Sequence, residues 1–296
     1  MFKVLITGAQ GQVGSELLKS APGSMTPIGL SSNELDICQP HQISAAIAQH
    51  QPNLIINAAA YTAVDAAQSN SDAAFAVNAQ GVQWLAQAAK AVNIPVFHLS
   101  TDYVFDGQAQ QPYTETDLPN PGNVYGASKL AGEYALIHTH HKHIIVRTSW
   151  VFGSTGQNFV KTILRLATQH AELSVVADQY GCPTSARSIA QALWQLAQRY
   201  ATDGHLAWGL YHFSNGPACT WHHFADHILT QALTQGVLDT KPVIQAITTE
   251  QYPTTAPRPA WSVLSNQKIE HLLQTQPIQW QDQLSELLAH PIDLSQ

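Results

Sequence analysis

Tyr125 and Lys129 stand four residues apart in the segment YGASK. On a helix this spacing places both side chains on the same face. An ammonium group close to a phenol stabilises the phenolate and lowers a pKa that starts at about 10. The pair therefore predicts that Tyr125 is a general acid near neutral pH. Taken alone, the same spacing also fits two unrelated residues of an amphipathic helix.

A second polar group ends an apolar run about two dozen residues before Tyr125, where Thr101 is followed by Asp102 and Tyr103. Open α/β sheets bind ligands beyond the carboxyl ends of their strands. We therefore expect the Thr101 hydroxyl to hydrogen-bond a substrate carbonyl, and we expect Thr101, Tyr125 and Lys129 to form one catalytic set.

The segment GAQGQVG, residues 8–14, follows the first apolar run of the chain directly. Gly8 permits a tight turn, Gly11 lets the backbone approach a pyrophosphate, and Gly14 allows close packing of a helix on a sheet. The helix that begins here offers unpaired N–H groups to phosphates. This strand, turn and helix predict a dinucleotide site.

The second strand ends in LSSN, residues 30–33, where many NAD-binding chains carry an acid for the ribose 2′-hydroxyl. Ser31 would not repel a 2′-phosphate, and its hydroxyl could donate to one. The sequence therefore favours NADPH, with NADH possible because no arginine stands there. Asp36, with Ile37, could bind the adenine; a cap before the helix at Pro40 is the other interpretation of Asp36.

The elements that must position these residues alternate between short apolar strands and longer helical patterns. Strands are predicted over residues 2–7, 27–30, 54–57, 96–100 and 144–148, and helices over residues 11–20, 40–49, 73–91 and 124–137. Several strands are apolar on both faces, which is typical of a parallel sheet covered on both sides. The predicted class is α/β, a Rossmann-type doubly wound parallel sheet.

After Trp150 the alternation loosens, and the division expected is a dinucleotide-binding domain over residues 1–150 and a smaller, mainly substrate-binding α/β part over 151–296. Some segments of the second part are expected to return to the sheet. Helices are predicted over 159–170, 189–199 and 221–235, strands over 173–176, 210–213 and 243–246, a proline-rich connection over 252–259 and two short helices at the end. Four histidines between residues 138 and 143 are interpreted as a solvated helix end, and no metal site is predicted.

Composition narrows the class of protein. The 296 residues carry a formal net charge of −7, which disfavours binding to nucleic acid. No apolar run approaches the roughly 18 residues of a membrane span, and the apolar run at the start is too short for a signal peptide. Three distant cysteines without CxxC spacing indicate reduced thiols. A cytoplasmic location is expected.

These motifs together resemble the extended short-chain dehydrogenase/reductase superfamily, and within it the reductases of nucleotide-linked 4-keto-6-deoxy sugars. The resemblance covers nearly the whole chain and rests on residues 8–14, 57–65 (NAAAYTAVD), 100–105 (STDYVF), 125–129, 147–152 (RTSWVF), 178–184 (DQYGCPT) and 258–259. In related sugar-nucleotide dehydratases a glutamate stands at the position of Tyr103. Its absence favours simple reduction over elimination of water.

The resemblance implies a set of site residues. The cofactor would be bound by Gly8, Gly11, Gln12, Val13, Ser31, Asp36, Ile37, Ala60, Tyr61, Thr62, Tyr125 and Lys129. The deoxysugar would be surrounded by Val64, Thr101, Asp102, Tyr103 and Trp150, with Asn158 and residues 179–184 as weaker candidates. The implied reaction is the NADPH-dependent reduction of the C4 keto group of dTDP-4-dehydro-6-deoxy-L-mannose, with Tyr125 as proton donor.

One departure and two alternatives accompany this interpretation. Some members of the superfamily bind magnesium at a dimer contact through glutamates; Glu16 matches one of these, but Arg187 stands where another is expected. We therefore expect that site to be absent or altered, and the chain to be a monomer or a homodimer. The alternatives are a reductase or epimerase of another nucleotide sugar, and a non-catalytic subunit like the regulatory subunit of methionine adenosyltransferase.

Overall fold

A six-stranded parallel sheet forms the centre of the molecule, whose computed structural model describes residues 1–292. Five strands come from the first half of the chain: β1 (Phe2–Thr7), β2 (Met25–Leu30), β3 (Leu54–Asn57), β4 (Val96–Thr101) and β5 (His143–Thr148). The sixth is β10 (Gly209–His212), and the order across the sheet is β10-β5-β4-β3-β1-β2. All neighbours are parallel. The predicted fold class is confirmed.

Helices cover both faces of this sheet. They are α1 (Gln12–Lys19), α2 (Pro40–His50), α3 (Val64–Ser69), α4 (Ser71–Phe75), α5 (Val82–Ala91), α6 (Val124–Thr139) and α8 (Ala186–Asp203). Alternate residues of β1 point to opposite faces: Val4 and Ile6 pack with α1 and α8, whereas Leu5 packs with α2 and α5. Burial on both faces explains why the strands are apolar without alternation.

The helix expected over residues 73–91 is interrupted. A π-helical segment, Ala76–Gly81, joins α4 to α5, and a helix that the sequence analysis missed, α3, precedes them. The other elements of the first half begin and end within two residues of the predicted positions. The largest shifts, of two residues, are at the end of α6 and at the start of β2, which begins at Met25 because Phe2 to Thr7 of β1 pair with all six of its residues.

The second half contributes the remaining elements. They are β6 (Val151–Phe152), α7 (Phe159–Ala167), β7 (Glu172–Val176), β8 (Tyr180–Gly181), β9 (Thr184–Ser185), β11 (Cys219–Thr220), α9 (Trp221–Thr234), β12 (Val243–Ile247), α10 (Gln267–Leu273) and α11 (Trp280–Leu288). A separate apolar core, with Trp280 fully buried in it, joins α7, α9 and α11. In addition, α8 packs on α1 and β10 pairs with β5. These two segments of the second half therefore belong to the central sheet and the helices that cover it.

The histidine run differs in part from the expected solvated helix end. His138 and His141 are exposed, but His140 and His143 are buried. The ring of His140 donates to the Ile94 carbonyl at 2.8 Å, and the ring of His143 donates to the His140 carbonyl at 2.6 Å. Within residues 1–292 no group of three His, Cys, Asp or Glu side chains could hold a metal ion, and no helix is long and apolar enough to cross a membrane.

Candidate active site

A cleft of about 770 Å³ lies beyond the carboxyl ends of β1, β3, β4 and β5. Its walls contain every predicted site residue except Ser31 and the weaker candidates Asn158 and 179–184. They also contain residues that the sequence analysis missed: Gln10, Ser32, Leu35, Ala58, Ala59, Val77, Leu99, Ser100, Thr148, Val151, Gly156 and Gln157. Half of the missed residues lie within two positions of the carboxyl end of a central strand, which could have indicated them: Ser32, Ala58, Ala59, Leu99, Ser100 and Thr148.

The glycine turn has the geometry that a bound pyrophosphate requires. Gly8 has a φ of +66°, and a Cβ there would lie 2.6 Å from the Ala59 nitrogen. A Cβ on Gly14 would lie 2.2 Å from the Gly8 oxygen. The backbone thus comes close to its neighbours only because side chains are absent. The first N–H groups of α1 face the cleft end that holds Gln12 and Val13. These residues fit a dinucleotide.

The residues that follow β2 form the part of the cleft beside the glycine turn. Ser32, Leu35, Asp36 and Ile37 line it. Asp36 also accepts a hydrogen bond from the Cys38 N–H at 2.9 Å, so it both lines the cleft and stabilises a turn. Ser31 is buried below the surface of the cleft, and its hydroxyl donates to Glu34 at 2.7 Å. The expectation that this hydroxyl is free for a 2′-phosphate is therefore wrong.

Lys129 is almost completely buried, with 2% of its surface exposed, on the face of α6 that packs against β4. Its ammonium donates to the Leu99 carbonyl at 2.6 Å. Burial lowers the pKa of Lys129 to about 8, and the nearby Glu133 carboxylate opposes this effect. The remaining N–H groups of Lys129 are available to hydroxyl groups in the cleft.

A buried hydrogen-bond chain lies behind Lys129. Asn57 at the end of β3 accepts from the Thr7 hydroxyl at 2.6 Å and from the Ala59 N–H at 3.2 Å, so its NH₂ group faces the His98 Nδ1 at 3.0 Å. That nitrogen must accept, and neutral His98 then carries its proton on Nε2, 3.4 Å from the Lys129 Nζ. Burial and the Lys129 charge lower the pKa of His98 well below its usual value.

Tyr125 lies in the first turn of α6, where the Asn123 side chain caps the helix by accepting from the Gly126 N–H at 2.8 Å. Burial raises the pKa of Tyr125 to about 12, the Thr101 hydrogen bond opposes this, and the Asp102 charge adds to it. The predicted lowering by Lys129 is not observed, because the Lys129 ammonium bonds to β4. The phenol of Tyr125 therefore stays protonated near neutral pH.

Thr101 and Asp102 are both buried at the end of β4. The Thr101 hydroxyl donates to the Asp102 carboxylate at 3.1 Å and accepts from the Tyr103 N–H at 3.2 Å. Burial raises the pKa of Asp102 to about 7, although hydrogen bonds from Ser262 and Thr101 oppose the shift. Its second oxygen, Oδ2, is buried without a partner within residues 1–292, so it is free to accept from a ligand.

An aromatic wall closes the side of the cleft opposite Tyr125. Trp150 has a φ of +47°, unusual for a bulky residue, and its ring stacks on that of Trp221 with 3.4 Å between centroids. The indole passes over Gly181, where a Cβ would lie 2.4 Å from it. Trp150 is thus held half-exposed in the cleft rather than packed as a core residue. Nothing in the sequence around Trp221 predicts that its ring stacks on Trp150.

A buried ion pair fixes α6 to the sheet. The Arg147 guanidinium on β5 donates to both carboxylate oxygens of Glu133, at 2.9 and 2.6 Å, and the Ser100 hydroxyl donates to the same carboxylate at 2.5 Å. Glu133 lies one helical turn after Lys129. The Arg147–Glu133 ion pair therefore fixes how far α6 is shifted along its axis relative to the sheet, and so where Lys129 and Tyr125 lie at the end of β4.

The proline-rich segment 252–259 closes the rim. Arg258 donates to the Asp65 carboxylate at 2.6 Å, and Asn123 donates to the Pro257 carbonyl at 2.9 Å. The weaker candidates do not line the cleft: Asn158 caps α7 and donates to Gln12 at 3.1 Å, and Gln179 donates to Thr249.

At the position considered for magnesium, Arg187 makes an ion pair with Glu286, and Glu16 pairs with Lys19 at 3.0 Å. The carboxylates that a metal ion would need are engaged by side-chain cations.

Comparison with known proteins agrees with these features. Residues 2–292 match the family described as RmlD substrate binding domain. The chain is 45% identical over 292 residues to the dTDP-4-dehydrorhamnose reductase of Aggregatibacter actinomycetemcomitans, covering 98% of this chain and 99% of that protein.

Two solved structures are similar over the whole chain. The dTDP-4-dehydrorhamnose reductase of Bacillus anthracis in complex with NADP has a TM-score of 0.88 at 35% identity and covers 97% of this chain and 99% of its own. The reductase of Clostridium acetobutylicum has a TM-score of 0.87 at 37% identity, with 97% and 98% covered. The resemblance inferred from the motifs is confirmed: the chain belongs to the RmlD substrate binding domain family.

Proposed function

We propose that this chain is a dTDP-4-dehydrorhamnose reductase, which reduces the C4 keto group of dTDP-4-dehydro-6-deoxy-L-mannose with NADPH, or with NADH, to give dTDP-L-rhamnose. The observation that carries the proposal is the meeting of Thr101, Tyr125 and Lys129 beside the glycine turn in one cleft. Relatives covered over almost their full length carry the same name, and one of them binds NADP.

The chemistry needs a hydride at C4 and a proton on the C4 oxygen. When bound, NADPH supplies the hydride. Tyr125 donates its phenolic proton to the oxygen, and its raised pKa keeps that proton available at neutral pH. The Thr101 hydroxyl, next to Tyr125, turns from the Asp102 carboxylate and donates its one proton to the same oxygen as negative charge develops there.

Lys129 and the aromatic wall position the two ligands. Lys129 uses one N–H on the Leu99 carbonyl and directs the others to the hydroxyls of the nicotinamide ribose. Val64, Tyr103 and Trp150 surround the apolar face and methyl group of the deoxysugar. Asp102 Oδ2 accepts from a sugar hydroxyl, which satisfies a buried acceptor.

The two parts of the chain bind different ligands. Residues 1–150 with the returning α8 and β10 bind the dinucleotide, and the remaining part of 151–296 binds the nucleotide sugar. The protein acts in the cytoplasm as a monomer or a homodimer. Its partners are small molecules rather than nucleic acid, in keeping with the net charge of −7.

The experiment that tests the proposal follows NADPH absorbance with purified protein and dTDP-4-dehydro-6-deoxy-L-mannose, and identifies the product. We expect dTDP-L-rhamnose from the native chain and a loss in kcat of about 100-fold or more in Tyr125→Phe, with NADPH affinity unchanged. Tyr134→Phe, on the exposed side of the same helix, is the matched control and should keep full activity.

Two other results would contradict parts of the proposal. Turnover of Tyr125→Phe within a few-fold of the native rate would mean that another group donates the proton. A native chain that binds NADPH but does not oxidise it with this sugar would indicate another nucleotide sugar or a regulatory role.

A further inference from the structure

We propose that Glu34 sets the preference of the cleft between the two dinucleotides: its carboxylate accepts from the ribose 2′-hydroxyl of NADH and repels the 2′-phosphate of NADPH. Glu34 was not among the residues expected from the sequence, because it lies four residues beyond the end of β2. The inference rests on the proposed function only in that the cleft binds a nicotinamide dinucleotide.

Glu34 is near the place where the adenosine ribose meets a Rossmann sheet. That place is the carboxyl end of the second strand, beside the glycine turn. In this chain β2 ends at Leu30, whose carbonyl accepts from the Ala9 N–H of the turn at 3.2 Å. Ser32 and Leu35, on either side of Glu34 in sequence, line the cleft.

The Glu34 side chain is exposed to solvent and does not line the unliganded cleft, but hydrogen bonds hold its carboxylate at the end of β2. Both the N–H and the hydroxyl of Ser31 donate to its Oε2, at 2.8 and 2.7 Å, and the Glu34 N–H donates to the Ser31 carbonyl at 3.1 Å. These bonds close a turn over residues 31–34. They leave Oε1 without a hydrogen bond within residues 1–292 and fix the direction of the carboxylate before a ligand binds.

The charges around Glu34 favour a hydroxyl over a phosphate. Residues 20–89 contain no lysine or arginine, and Lys19 is paired with Glu16 at 3.0 Å. Lys129 is the single lysine or arginine among the described residues that line the cleft, and it lies at β4, two strands from β1. A 2′-phosphate would therefore meet Glu34 and Asp36 with no basic side chain to offset them, whereas a 2′-hydroxyl can donate to Oε1.

The hydrogen bonds from Ser31 also keep this carboxylate charged, since they lower the pKa of Glu34. The repulsion is therefore present throughout the neutral range. We accordingly expect NADH to bind beside NADPH, with an affinity ratio that depends on the Glu34 charge.

The test measures dissociation constants of NADPH and NADH by nicotinamide fluorescence, without any sugar. Glu34→Gln keeps the shape and can still accept from Ser31, but it removes the charge. We expect NADPH to bind about fivefold more tightly and NADH to bind equally or up to about threefold more weakly. Glu250→Gln removes one charge from an exposed position in the second half, and should leave both constants unchanged.

Salt distinguishes a charge effect from a change of shape. The gain of Glu34→Gln for NADPH should shrink between about 0.1 M and about 1 M salt, because the screening length falls from about 10 Å to about 3 Å. Glu34→Ala, which removes the hydrogen bonds from Ser31 as well as the charge, should show the same gain and provides the test if the glutamine variant is poorly folded.

The outcomes separate this inference from the proposed function. An NADPH-to-NADH affinity ratio that stays within about twofold of native in both variants, under the salt conditions above, overturns the role of Glu34. Failure of the native chain to bind either dinucleotide would instead contradict the proposed function.

Discussion

Lys129 and Asp102 are the two residues of the cleft whose charges change near neutral pH. Burial lowers the pKa of Lys129 to about 8, and the groups near its ammonium are Glu133 on its own helix and His98 and the Leu99 carbonyl on β4. The ammonium is present below about pH 8 and is lost above it. Because Tyr125 remains protonated up to about pH 12, the alkaline limb of the reaction belongs to Lys129.

We therefore predict that kcat/KM falls as pH rises through about 8, measured with saturating NADPH and limiting sugar. Lys129→Arg keeps the positive charge at all accessible pH values, so whatever activity it retains should lack this limb. Asp102 titrates at about pH 7, and Asp102→Asn identifies any part of the profile that comes from it. An alkaline limb near pH 8 in Lys129→Arg would contradict the assignment.

Single residues were predictable where their chemistry is local in sequence. Tyr125 and Lys129 share one helical turn, and Thr101 ends a strand, so spacing alone brought them together. His98 and Asn57 are polar residues in apolar runs, which marks them as unusual. Their hydrogen bond was not predictable, because it joins residues 41 positions apart on two strands. Glu34 was missed because its side chain turns back three residues to Ser31.

At the scale of elements, the position of α6 decides the geometry of the cleft. A Cβ on Gly126 would lie 2.0 Å from the Tyr103 carbonyl oxygen, and one on Gly132 would lie 2.0 Å from the Asn78 carbonyl oxygen. The two glycines let the helix approach the end of β4 on one side and the π-helical segment on the other. Tyr125 precedes the first of these contacts directly.

We predict that Gly126→Ala lowers kcat by about 100-fold, because the helix start must move by the order of an ångström away from Thr101. In an open helix the same change would instead stabilise the protein by up to about 1 kcal/mol. Gly122→Ala is the control, since a Cβ there meets nothing within 4 Å. Equal activity of the two variants in the sugar assay would mean that α6 is not held as tightly as its contacts indicate.

The helices and strands were easier to predict from the sequence than the π-helical segment that interrupts one of the helices. The start of α6 was predictable because Asn123 caps it. The π-helical segment was not, because it depends on tertiary hydrogen bonds: Asn78 accepts from the Tyr61 N–H at 2.8 Å and donates to Ser128 at 2.9 Å. No pattern within residues 73–91 contains that information.

At the scale of the whole molecule, the two halves of the chain are interleaved through β10. This strand comes from the second half, pairs with β5 and carries His212, which is fully buried. The His212 ring donates from Nδ1 to the Tyr113 carbonyl at 3.0 Å and lies edge-on to Phe105. A strand four residues long gave little indication of its partner, because α7, α8 and part of the second core lie between β5 and β10 in the sequence.

The burial of His212 makes the stability of this joint depend on acid. Burial and the Arg147 charge lower the pKa of His212 to about 3 in the folded chain, against about 6.5 in an unfolded one. As pH falls below about 6.5 the unfolded chain binds a proton that the folded chain does not, so stability is complete above that pH and is lost below it. Each such histidine contributes a slope of about 1.4 kcal/mol per pH unit.

We predict that His212→Gln, which can still donate to the Tyr113 carbonyl, reduces the loss of unfolding free energy between about pH 6 and about pH 5 by roughly 1 kcal/mol relative to the native chain. Urea unfolding at each pH measures this difference. His98 acts in the same direction and Asp102, with its raised pKa, in the opposite one, so the comparison of variants isolates His212 where the native slope alone does not. His41→Gln, at an exposed position, should keep the native slope; if His212→Gln keeps it too, the β10 joint takes up its proton without unfolding.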